Sequence, residues 1–173
     1  MTVALRTDER ALIAVCLLAL ALRPVGWSAS LVTVGVGGVG ALAAIEPASR
    51  PRALGWLLAV GLGAAAFALV RVHSLAPPLR MTMLGVAATV LAALAEELFF
   101  RRFVYARLVR FGAPVAIAGS AVTFAVVHVP AYGARSLPID VAAGLVFGWQ
   151  RWSTATWTAP AVTHVVANLV QVW

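Results

Sequence analysis

The chain contains no lysine: all thirteen of its basic residues are arginine, only six residues are acidic, and charged residues make up 11% of its 173 positions. So little charge, set beside 62% hydrophobic residues and a mean hydropathy of +0.97, excludes an ordinary soluble domain and marks an integral membrane protein. The formal charge of +7 does not point to nucleic acid, because the arginines are scattered at the ends of apolar runs rather than gathered in one block. One cysteine, Cys16, rules out an intramolecular disulfide, and its place inside an apolar run gives it a packing or lipid-facing role. Alternation of apolar and polar residues over short strands is also missing. A bilayer requires every backbone polar group to be satisfied internally, so the chain reads as an all-α, polytopic transmembrane helix bundle rather than a barrel.

About seven helical segments are expected within one membrane domain spanning 1–173, some of them short or not fully spanning. The first runs from Ala11 to Leu22 and is broken at Arg23-Pro24. A cleaved signal peptide ending near Ser28-Ala29-Ser30 is the alternative, disfavoured because further apolar segments follow directly. The second runs from Trp27 to Ile45, with glycines at 35, 37, 38 and 40 that permit close helix approach, before a turn from Glu46-Pro47 to Arg52. The third runs from Ala53 to Val70, closed by Arg71, His73 and Pro77-Pro78, with His73 an interfacial loop residue. Met81 to Phe100 forms the fourth, after which Arg101, Arg102, Arg107 and Arg110, with Tyr105, read as an interfacial extension. The fifth runs from Pro114 to Val129 and is stopped by Pro130. Ser136 and Asp140 are candidate N-caps of a sixth, ending at Gln150, in which Gly144 and Gly148 make a small-residue packing face. The last runs from Ala159 to Trp173.

Within this apolar background Glu96 and Glu97 stand at the end of an uncharged run. A carboxylate at membrane depth costs several kcal/mol unless it faces protein or a wet cavity, so the pair is a candidate functional site. Neighbours on a helix project about 100° apart, so the two carboxylates face different surroundings, while Arg101 lies one turn beyond Glu97 on the same stripe. Either glutamate can then be the one that Arg101 holds, leaving the other to face a cavity as a general base. Phe124 and His128 are one turn apart on the fifth segment, and His164 and Asn168 one turn apart on the last. Base, water-orienting groups and neutral donors for an oxyanion are the inventory for peptide hydrolysis without a nucleophilic Ser or Cys.

These motifs resemble those of the CPBP intramembrane proteases, the CAAX-protease and bacteriocin-processing, or Abi, family. Glu96-Glu97-Leu98-Phe99-Phe100-Arg101 is similar to its EExxxR element, Phe124-Ala-Val-Val-His128 to its FxxxH, and His164-Val-Val-Ala-Asn168 to its HxxxN/D. The likeness covers about residues 84–173, with 1–80 matching only as generic membrane helices. It implies that Glu96 activates water with His128, that His164 and Asn168 stabilise the oxyanion, and that Glu97, Arg101 and Phe124 support the site. No cofactor is required by that scheme. The alternative is zinc, with Glu96, His128 and His164 as ligands, although no HExxH occurs in the chain.

The resulting expectation is an intramembrane endopeptidase acting near the bilayer surface on a membrane-anchored protein or peptide, in a prokaryotic inner membrane, with the myxosortase-like enzymes as the group of the family that the chain most resembles. Placing the N-terminus, 46–52, 101–110 and Arg151 on one side gathers nine arginines there against Arg23, Arg71, Arg80 and Arg135, which makes the N-terminus cytoplasmic. Rival readings are a bacteriocin-immunity or membrane scaffold protein, whose polar groups only fasten helices, and a small transporter, disfavoured by the lack of inverted repeats.

Overall fold

The computed structural model describes residues 7–23, 27–43, 53–73 and 80–171. Among these, every regular element is helical: α1 (Thr7–Ala21), α2 (Trp27–Ala43), α3 (Ala53–Val72), α4 (Met83–Phe111), α5 (Ala113–Tyr132), α6 (Leu137–Thr154) and α7 (Thr158–Leu169). α3, α4 and α5 are long and apolar enough to cross a membrane. The turn at 46–52, Pro24, Pro77-Pro78 and the end of the expected last span at Trp173 lie outside the described residues.

Side chains are distributed for an apolar solvent. Leu54, Leu57, Leu58, Leu62 and Leu69 of α3 face outward, while Glu96, Glu97, Arg101, His128, Gln150 and His164 are buried. Outward leucines cost nothing against lipid tails, and inward polar groups find partners there, as intramembrane polar residues must.

Backbone chemistry sets the helix ends. The Thr82 side chain accepts the Gly85 N–H at 3.1 Å and caps α4. Gly112, at φ 103°, turns the chain between α4 and α5, and Gly133, at φ 78°, ends α5. Pro130 does not stop α5, as its sequence position suggests: near a helix end a proline forfeits a single intrahelical bond, and the helix runs on to Tyr132. Ser136 sits at the N-cap position of α6, but its hydroxyl donates to Gly133 O at 3.1 Å, and Asp140 lies inside the first turn.

Small residues determine how closely the helices approach. A Cβ on Gly37 would stand 2.5 Å from that of Ala95, and one on Gly40 2.5 Å from the Leu98 carbonyl oxygen, so α2 lies backbone-to-backbone on α4; Gly35 and Gly38 face open space. Gly144 and Gly148 bring α6 onto Ala121 and Ile117 of α5 in the same way. α1 packs on α5 and α2 on α4, so the α1–α2 hairpin is seated against both of those helices. Cys16 is buried in the core with Leu20, Phe99, Phe100, Phe103 and Phe147.

α4 is not regular throughout. Leu98–Val104 is a π-helical segment, in which the Tyr105 N–H reaches back five residues to Phe100 O. It begins immediately after Glu97. Two residues of the stretch expected at the interface are inside the protein: Arg101 is wholly buried, and Tyr105 is buried beneath the Arg151 guanidinium, 5.2 Å from its ring centroid, while Arg102, Arg107 and Arg110 are half-buried.

Candidate active site

Glu96 and Glu97 leave α4 in different directions. Glu96 opens on a partly enclosed cavity of about 440 Å³ that is also lined by His128, His164 and Asn168. Glu97 is fully buried behind it and does not line that cavity. The two carboxylates therefore have different surroundings: Glu96 lines the cavity, and Glu97 belongs to the wall.

The wall is built around Glu97. Its Oε1 lies 2.9 Å from His164 Nδ1 and 3.3 Å from Arg101 Nη1. Arg101 also donates through Nη2 to Gly144 O at 3.2 Å. Its guanidinium carbon is 4.8, 5.2 and 5.7 Å from the ring centroids of Phe124, Phe147 and Phe100. A buried cation is tolerable only if paired and hydrogen-bonded; here a carboxylate, a carbonyl and three aromatic faces share that task.

Both histidines are oriented by their Nδ1 edges. His128 Nδ1 meets Phe124 O at 2.7 Å, and since a carbonyl only accepts, the proton is on Nδ1. In the neutral ring Nε2 is then the lone-pair nitrogen, and it lies 3.6 Å from Glu96 Oε1. His164, held at Nδ1 by Glu97, presents its Nε2 at 3.9 Å from Glu96 Oε2. Phe124 is the common floor, its ring centroid 4.6 Å from that of His128 and 5.7 Å from that of His164. Asn168, one turn beyond His164, reaches the cavity from the same face of α7.

The cavity-facing carboxylate is not isolated. Arg23 Nη1 donates to Glu96 Oε1 at 2.9 Å and to Thr33 Oγ1 at 3.0 Å. Residue spacing had no means to find this: Arg23 lies 73 positions from Glu96 and reads as a residue at the end of an apolar run. A zinc site built on Glu96, His128 and His164 would need their donor atoms around one point. Among the described residues no three His, Cys, Asp or Glu side chains converge in that manner, and Oε1 of Glu96 already accepts from a cation.

The described residues thus bring together all five polar groups singled out by the motifs, with Glu96, His128, His164 and Asn168 on the cavity and Glu97 behind it. A family profile described as type II CAAX prenyl endopeptidase Rce1-like matches residues 78–170, more than half of the chain and all of these groups. The chain belongs to the Rce1-like family. It is thereby a member of the CPBP group and, in general terms, an intramembrane peptidase of the CAAX type. No match was found among curated proteins or solved structures. The Rce1-like match excludes α1, α2 and α3, the same N-terminal part that shows no family motif in the sequence.

Proposed function

We propose that this chain, acting as a single membrane domain, is a glutamate-type endopeptidase that hydrolyses a peptide bond in the tail of a membrane-anchored protein. The observation that carries this reading is the placement of Glu96 on the cavity between the Nε2 edges of two histidines, with Glu97 withdrawn behind them. The 3.6 Å separation of Glu96 and His128 exceeds a direct hydrogen bond. Water placed beside both groups donates to His128 Nε2 and gives its other proton to Glu96 as its oxygen bonds to the scissile carbonyl carbon. The developing oxyanion is met by Asn168 and by His164, whose ring Glu97 holds at Nδ1. Glu96 then passes its proton to the leaving amine as the C–N bond breaks, so hydrolysis requires no covalent enzyme intermediate and no metal.

The family description supports a prenylated C-terminal tail as the first substrate to test, with leader peptides and C-terminal sorting signals of the myxosortase kind as the other candidates. The arginine excess on the N-terminal side, which persists when the buried Arg101 is set aside, supports a cytoplasmic N-terminus in a prokaryotic inner membrane. The test is mass spectrometry of products after incubating the purified full chain in detergent with a farnesylated peptide ending in three residues beyond the modified cysteine, and with its unmodified counterpart. Release of a C-terminal fragment by the wild type supports the reading. Absence of any fragment from these peptides and from co-expressed membrane-anchored substrates would overturn it.

A further inference from the structure

Arg23 belongs to the hairpin outside the Rce1-like match, yet it makes the shortest polar contact found for Glu96 among the described residues. Thr33, on the first turns of α2, donates its hydroxyl to Ala29 O at 2.9 Å, which leaves its oxygen lone pairs turned toward Arg23. Arg23 Nη1 carries two hydrogens: one goes to Thr33 and the other to Glu96. A continuous chain of hydrogen bonds therefore links the backbone of α2, through Thr33 and Arg23, to one specified oxygen of the cavity carboxylate. Arg23 and Glu96 side chains are only 8% and 7% exposed, so the pair is shielded from bulk water and is not a screened surface contact.

We propose that Arg23 is a positioning residue for Glu96, and that the α1–α2 hairpin is in this way a working part of the active site. By occupying Oε1, Arg23 fixes the rotation of the carboxylate and leaves Oε2 as the oxygen that faces His164 and the cavity. Among the described residues that line the cavity Arg23 is the sole arginine, so no other described guanidinium on that wall replaces it. The close seating of α2 on α4 at Gly37 and Gly40 keeps the hairpin at the required distance. This inference rests on the reading of Glu96 as the base.

The test combines kinetics with a measurement independent of turnover. On the farnesylated peptide, Arg23→Met should lower kcat by about 10- to 100-fold with little change in KM, the cost of a carboxylate that is present but misaimed. Arg23→Lys, which restores a cation but not the fork, should recover part of the loss, and Thr33→Val should give a smaller drop of the same kind. In thermal unfolding of the full chain, Arg23→Met should reduce Tm in the wild-type background and much less when Glu96→Gln is already present. Wild-type kcat in Arg23→Met, or additive Tm losses in that cycle, would overturn the inference. Wild-type chain without cleavage would instead count against the peptidase reading, and the Tm cycle would still decide whether Arg23 holds Glu96.

Discussion

One oxygen of Glu97 serves two helices: His164 Nδ1 of α7 lies 2.9 Å from it and Arg101 Nη1 of α4 lies 3.3 Å from it, all three groups being buried. The carboxylate that does not see the cavity is thus the one that sets the orientation of a residue that does. In Glu97→Gln the shape is kept and the charge lost, leaving Arg101 buried without its counter-ion. Breaking a buried pair from one side costs on the order of 3–5 kcal/mol. The variant should therefore show a marked fall in Tm in detergent, with activity reduced but detectable; an unchanged Tm would contradict the role assigned to Glu97.

Helix seating offers a test free of chemistry. Gly40→Ala places a methyl 2.5 Å from the Leu98 carbonyl oxygen, where neither backbone can yield cheaply, whereas the Cβ of Gly38→Ala meets nothing within 4 Å. Overpacking of this kind typically costs about 1–3 kcal/mol. Gly40→Ala should lower Tm and Gly38→Ala should not, and equal behaviour of the two would argue against the observed α2–α4 contact.

The helical class and the polar constellation were legible because a bilayer enforces them: apolar runs must be helices, and polar groups inside them must be grouped. Glu96 with Glu97, Phe124 with His128, and His164 with Asn168 are each local pairs at helical spacing, so periodicity alone places each pair on its helix. What periodicity does not carry is contact between helices. Arg101 and Tyr105 look interfacial because arginine and tyrosine usually are, and only the packing of α6 and three phenyl rings makes a buried place for the former. Arg23 has no local partner to betray it. The π-helical turn from Leu98 to Val104 likewise leaves no compositional mark in a run of leucine, phenylalanine and arginine. Pro130 misleads in the opposite direction, since a breaker near the end of a helix costs too little to end it.

Orientation can be read by thiol labelling with an impermeant reagent. A cytoplasmic N-terminus places Phe111, exposed at the far end of α4, inside the cell and His73, exposed at the end of α3, outside. In intact cells His73→Cys should label and Phe111→Cys should label only after permeabilisation; the reverse pattern would invert the topology.

Metal dependence separates the two chemistries. Water activation by Glu96 predicts that incubation with a chelator leaves turnover unchanged and that added zinc gives no stimulation. Loss on chelation with recovery on zinc addition would instead assign Glu96, His128 and His164 as ligands.

The most direct measurement is the single-turnover cleavage rate of Glu96→Gln beside wild type and Glu97→Gln, on one peptide and at matched protein folding. General-base catalysis contributes about 10²–10⁴-fold, so Glu96→Gln should fall by that order or to background while still binding substrate, and Glu97→Gln should retain measurable turnover. A Glu96→Gln chain that cleaves at the wild-type rate would contradict the account at its centre.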